Sequence, residues 1–243
     1  MSQQIRQRVA FQDTEMVGYL DEWKELILRH RGTNHPFLNN FRAKRTSPEA
    51  IKRVFLEFYY FVRHLPFYIA GMALLTRDER VLREIIINVT EEVGERDKTP
   101  HLDIYRNFMR RAGITETEIA HYICLESTRK IDTGIEKLYT KSSIEKALGA
   151  MYALETMSSE MVGKLNDALE LNGFDEETRS FFIFHIESEK GHSNGAFNAI
   201  FPYLTIPANR VLFEEGLKEF MTLIESFWDG VSSICHQADD AIQ

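Results

Sequence analysis

The sequence predicts an all-α bundle of seven or eight helices in one domain, and three observations lead there. Apolar residues recur at helical spacing almost throughout the chain. Glycine and proline, 13 and 6 among 243 residues, are too sparse to punctuate a series of short strands. Alternating apolar and polar runs joined by paired turn signals, the mark of antiparallel strands, are hard to find. No repeat of 20 to 50 residues and no low-complexity linker divides the chain, so one helical domain over 1–243 is expected.

The elements follow in order. Residues up to about 12 read as a flexible lead. A first helix is expected from about Thr14 to Arg31, with Met16, Leu20, Trp23, Leu26 and Ile27 on one side; Gly32 and Pro36 close it. A short segment, Phe37 to Ala43, comes next. Ser47-Pro48-Glu49 is a strong start: an N-cap hydroxyl, proline at the first helical position and an acid in the first turn. That helix carries Ile51, Val54, Phe55, Phe58, Tyr59 and Val62, and Pro66 should bend or restart it. Asp78 caps a helix over Glu79–Val93, which Gly94 stops. Thr99-Pro100 starts another at His101, running to about Arg111. Thr115 to Glu118 opens the next, and a long helix from about Ser143 to Leu171 ends at Gly173. A further helix is expected from near Asp175 to Pro202, and a last one from about Pro207 to His236.

Bulk chemistry narrows the function. Acids outnumber bases 37 to 29, a net charge of -8, which argues against binding nucleic acid or an anionic membrane surface. The longest apolar runs, such as Phe58–Val62 and Ile85–Ile87, fall far short of a membrane span. The N-terminus is polar and has no apolar signal segment, so a cytoplasmic protein is expected. The two cysteines, Cys124 and Cys235, have no metal or redox spacing and read as small core residues.

The chemistry concentrates in Phe181 to His192. His185, Glu189 and His192 stand at i, i+4 and i+7 and share one helix face. Two imidazoles and a carboxylate on one stripe make a ligand set for Fe, Mn or Zn, but one helix cannot close a metal site. Three other positions offer partners. Glu91 and Glu92 sit at the negative end of a helix, where a cation would offset unfavourable electrostatics. His101 follows nine residues after Glu92. Glu155 lies among Ala147, Met151, Leu154 and Val162, and a carboxylate inside such a stripe needs a metal or a base. Taken singly, each has an ordinary explanation: solvated acids, an exposed histidine, a residue at the stripe's edge. Together they give three histidines and three carboxylates, a mixture suited to a non-haem di-iron or iron–manganese site.

These blocks, Asn88-x3-Glu92-x-Gly94, His101-x2-Ile104-Tyr105, Tyr152-x2-Glu155 and His185-x3-Glu189-x2-His192, resemble the haem-oxygenase-like di-iron oxidases. Within that group the chain is similar to the Chlamydia protein associating with death domains, over about Asn34 to Ile200. Thiaminase II-like proteins and the pyrroloquinoline-quinone synthase share the fold. The resemblance implies a haem-oxygenase-like bundle, with Glu92, His101, Glu155, His185, Glu189 and His192 as metal ligands and Glu155 as a bridge; a one-residue shift would substitute Glu91 for Glu92. It implies two Fe ions, or Fe with Mn, and O2 as co-substrate in the oxidation of a small organic molecule. Glu189 stands where relatives often have Asp. Leu38 stands at the position where the chlamydial protein has the tyrosine that it consumes, so the substrate here is expected to come from outside. Phe58, Tyr59, Phe61, Tyr152, Phe181 and Phe184 are candidate pocket walls, while Arg63 and His64 either meet a substrate carboxylate or face solvent. A homodimer is compatible with all of this. Two other readings stand beside it: a metal-free enzyme of the thiaminase II or quinone-synthase kind, and a helical interaction module with a vestigial site.

Overall fold

The computed structural model describes the backbone of residues 3–95, 98–186, 200–201 and 203–240, and side chains within 15–235 of that range. The described residues form ten helices and no strand: α1 (Gln3–Arg29), α2 (Pro36–Phe41), α3 (Pro48–Val62), α4 (Leu65–Met72), α5 (Glu79–Val93), α6 (His101–Arg111), α7 (Glu116–His121), α8 (Glu126–Thr140), α9 (Ile144–Leu171) and α10 (Pro207–Asp240). A further helical stretch covers 180–186.

Most boundaries follow from local chemistry. The Ser47 hydroxyl accepts the Ala50 N–H at 3.3 Å, with Pro48 at the first helical position. Asp78 accepts the Arg80 N–H at 2.9 Å and opens α5. Thr115 and Glu118 form a reciprocal capping box at α7. The helix restarts at α4 with Pro66 in its first turn, where a missing N–H leaves no bond unmade.

Three boundaries differ from the sequence expectation. Helix α1 begins at Gln3 rather than near Thr14. The helix expected from Asp175 starts at 180, because the Asp175 carboxylate accepts the Thr178 N–H at 2.8 Å and closes a turn. Helix α8 was not foreseen as a separate element. Its N-cap residue, Leu125, has no capping side chain. Glu57, fully buried on α3, supplies the cap instead. Its carboxylate accepts the Leu125 N–H at 3.1 and 3.2 Å, the Thr128 hydroxyl, and the Tyr122 hydroxyl at 2.6 Å. An anion at a helix N-terminus is favoured by the peptide dipoles, and here it comes from a distant part of the chain.

The core lies around α9, which packs most extensively on α10. Glycine makes that contact close. A Cβ at Gly149 would overlap the Phe213 carbonyl, and one at Gly216 would overlap the Lys146 carbonyl. Aromatic rings fill the interior: Phe55, Phe108 and Phe182 meet edge to face at 4.9 to 5.4 Å, and Trp228 is completely buried against Phe227. Cys235 is buried and Cys124 half-buried, and no disulfide joins them. No described helix is long and apolar enough to cross a membrane.

Candidate metal centre

The site forms where α5 ends. Gly94 takes φ 77°, which a side chain disfavours, and a Cβ there would strike the Lys98 carbonyl. The chain therefore folds back tightly after Glu92, and α6 begins at His101. The result is contact: Nδ1 of His101 stands 3.3 Å from Oε1 of Glu92. That approach does not satisfy hydrogen-bond geometry, so Nδ1 is a buried nitrogen without a hydrogen-bond partner.

His185 reaches the same place from the 180–186 stretch. Its ring centroid lies 4.9 Å from that of His101. Its Nδ1 is 2.8 Å from the Phe181 carbonyl oxygen. A carbonyl can only accept, so Nδ1 carries the proton and Nε2 carries the lone pair of the neutral ring. This is the arrangement by which a metal-binding histidine is oriented. Phe181 and Phe184 hold the ring on two sides, at 4.1 and 5.4 Å. Glu155, from the middle of α9, is half-buried, and its Oε1 accepts from Asn88 Nδ2 at 3.2 Å. Asn88 lies one turn before Glu92 on α5, so one amide ties the two carboxylate-bearing helices together.

A cavity of about 100 Å³ joins these groups. Glu91, Glu92, His101, Glu155 and His185 line it, with Asn88 and Ser158 the other polar walls. Phe58, Phe61, Leu65, Ile69 and Met161 close its apolar side. Of the six expected donors, four therefore come together from four separate segments. Glu189 and His192 lie outside the described residues. Among the described residues alone, no group of three or more His, Cys, Asp or Glu side chains stands close enough to hold a metal ion.

The donors that are present fit iron: imidazole nitrogens and carboxylate oxygens, one imidazole with its tautomer fixed, the other with an unsatisfied buried nitrogen. Sequence reasoning missed two contributors. Asn88 was a marker without a role, although an amide one turn from Glu92 is a signal for second-layer support. Tyr139, on α8, is fully buried with no hydrogen-bond partner for its hydroxyl; burial, and then the negative charge of Glu155, hold its phenol well above the usual range.

Other expected walls lie elsewhere. Tyr59, Tyr152 and Phe184 are not among the cavity's lining residues. The Tyr152 hydroxyl instead donates to the Leu20 carbonyl at 2.9 Å, on the α1 side. Arg63 and His64 also stand off the cavity. His64 pairs with Asp132 at 3.0 Å, and the Arg63 guanidinium lies 4.0 Å above the Tyr60 ring. Leu38 is completely buried in α2.

Comparison with known proteins gives the family to which the chain belongs. Residues 52–224 match a family described as iron-containing redox enzymes. The chain belongs to that family. Among curated relatives, the 4-chloro-allylglycine synthase of Streptantibioticus cattleyicolor is 51% identical over 230 residues, covering 95% of this chain and 89% of its own length. The 4-aminobenzoate synthase of Chlamydia pneumoniae is 20% identical over 180 residues, 74% of this chain and 80% of that one. Solved structures share the fold. A CADD-like protein of unknown function from Nostoc punctiforme superposes with a TM-score of 0.75 at 18% identity, covering 90% of this chain and 97% of that one. A domain from Shewanella denitrificans described as having a heme oxygenase-like fold gives 0.73 at 15% identity, covering 90% of each chain. The bundle is thus haem-oxygenase-like, and the family's members are iron-containing oxidoreductases that act on small organic molecules. That matches the first of the three readings made from sequence and not the metal-free enzyme or the vestigial module.

Proposed function

We propose that this enzyme holds two iron ions, or iron with manganese, through Glu92, His101, Glu155, His185, Glu189 and His192, and uses O2 to oxidise a small aliphatic α-amino acid. The observation that carries the metal reading is the convergence of Glu92, His101, Glu155 and His185 on one cavity from four segments. The substrate class comes from the 51% identical relative, whose name gives its product as an allylglycine, an unsaturated α-amino acid.

Iron held by these residues would supply the redox chemistry that an O2-dependent oxidation needs. The rest falls to the protein. The Phe181 carbonyl keeps the His185 proton on Nδ1, so Nε2 is the nitrogen whose lone pair would bind a metal. Asn88 orients Glu155. Glu91, beside Glu92 on the same wall, adds negative charge that offsets the cations. Phe58, Phe61, Leu65 and Ile69 keep water from the side where an aliphatic chain would lie. Tyr139 holds its proton through the working pH range, near the Glu155 charge. We read the chain as one helical domain, cytoplasmic and compatible with a homodimer.

The test is O2 consumption by anaerobically iron-loaded protein mixed with individual amino acids and, as a control class, fatty acids. The expected result is uptake accelerated by an aliphatic amino acid and abolished by His185→Ala. Uptake unaffected by any amino acid, or undiminished in the variant, overturns the proposal.

A further inference from the structure

A file of aromatic rings leads from the candidate metal centre toward the surface. Phe181 sits 4.1 Å from the His185 ring and 4.8 Å from Tyr105, which itself lines the cavity. Tyr105 stacks on Tyr59 at 6.2 Å with an interplanar angle of 15°. Tyr59 meets Tyr60 at 5.7 Å, and Tyr60 meets Tyr122 at 5.9 Å. The file begins completely buried at Tyr105 and ends half-buried at Tyr122, between α7 and α8.

The four phenols differ in where a proton can go, and this decides which of them can stay oxidised. A tyrosine that loses an electron becomes strongly acidic and is stable only if a base takes its proton. The Tyr105 hydroxyl donates to the Phe55 carbonyl at 2.8 Å, and that of Tyr60 to the Ile119 carbonyl at 2.8 Å; amide carbonyls are very weak bases. Tyr59 accepts from the Arg106 guanidinium at 3.0 Å, and Arg63 lies over the Tyr60 ring, so neighbouring cations disfavour positive charge on both. Tyr122 alone of the four donates to a carboxylate, Glu57 Oε1, at 2.6 Å. The branch through Phe58 to Trp228 ends on a buried indole N–H with no acceptor, so it offers no proton outlet.

We propose that Tyr105, Tyr59, Tyr60 and Tyr122 form a relay that drains oxidising equivalents from the iron centre when O2 reacts without substrate, with Tyr122 as the end point. The proposal rests on the O2-dependent iron reading above. The balance is one electron and one proton. The electron leaves Tyr122 and passes through the file to the centre that O2 has oxidised, which is reduced by one electron. The Tyr122 O–H bond breaks and its proton moves to Glu57 Oε1, leaving a neutral tyrosyl radical beside a carboxylic acid. The Leu125 N–H and the Thr128 hydroxyl fix the Glu57 carboxylate in place against the Tyr122 hydroxyl. Near the surface, the radical is within reach of external reductants and away from the ligands.

The test is freeze-quenched electron paramagnetic resonance on iron-loaded protein exposed to O2 without substrate, with iron oxidation followed optically in the same samples. The expected result is a tyrosyl signal in the native chain that Tyr122→Phe abolishes while iron oxidises at its usual rate. Tyr105→Phe, which leaves the Glu57 network intact, should also abolish it, and circular dichroism verifies folding of both variants. Iron oxidation with no tyrosyl signal, or a signal that persists in Tyr122→Phe, overturns the relay alone. Iron that O2 fails to oxidise overturns the underlying reading, and the relay with it.

Discussion

Replacing Glu57 with alanine should cost more stability than any other single change outside the metal site. Glu57 is completely buried, and its carboxylate accepts from three partners: the Leu125 N–H, the Thr128 hydroxyl and the Tyr122 hydroxyl. Truncation leaves the Leu125 N–H and the Thr128 hydroxyl without acceptors, at about 1–3 kcal/mol for each unsatisfied buried group. It also removes the cap of α8, worth roughly 1 kcal/mol. Because relaxation and water entry recover part of this, the net loss should be about 3–5 kcal/mol. For a chain of this size that lowers Tm by roughly 10 °C. Tyr122→Phe removes one bond and leaves the cap, so about 1 kcal/mol is expected. Glu57→Gln keeps the shape and one acceptor oxygen and should fall between them. The assay is urea unfolding followed by circular dichroism, with thermal melts as a cross-check. A Glu57→Ala loss below about 1 kcal/mol would refute the claim that this carboxylate starts α8.

Other expectations follow from the same structure. Gly149→Ala should destabilise the α9–α10 contact by about 1–3 kcal/mol through overlap with the Phe213 carbonyl, although alanine is the better helix former; Gly163→Ala, where a Cβ meets nothing within 4 Å, should instead stabilise by up to about 1 kcal/mol. Burial lowers the affinity of His35 for a proton, followed by opposing influences from Asp229 and Arg31. Its Nδ1 accepts the Phe37 N–H and so must stay unprotonated to cap α2. With the folded value below the ordinary 6.5, the unfolded chain takes the proton more readily; stability is full above 6.5 and declines as pH falls below it, and His35→Asn should flatten that slope in denaturation curves. Asn88→Ala should weaken iron retention about 10- to 100-fold by freeing Glu155, measured by competition with a chelator.

What the sequence disclosed and what it hid divide along one physical line. Helix ends set by neighbours were readable: Ser47, Asp78 and Thr115 cap their own helices, and Gly94, Gly113 and Gly173 close helices at positive φ. The start of α8 was not, because its cap comes from α3, 71 residues before Thr128. The candidate donors could be singled out because imidazole and carboxylate on apolar stripes are costly unless used. Their meeting at one place was expected only from the four motif blocks and the family they resemble, since no local rule brings His101 to His185. Arg63 and His64 resisted assignment for the same reason: the partner that engages His64, Asp132, lies on another helix.

Iron content across single-donor variants bears most directly on the proposal that four separated segments meet at one metal centre. Anaerobically reconstituted wild-type protein should retain about two irons per chain after desalting. Glu92→Ala, His101→Ala, Glu155→Ala and His185→Ala, each verified as folded, should each lose at least one of them. Full iron retention in all four variants would contradict the account.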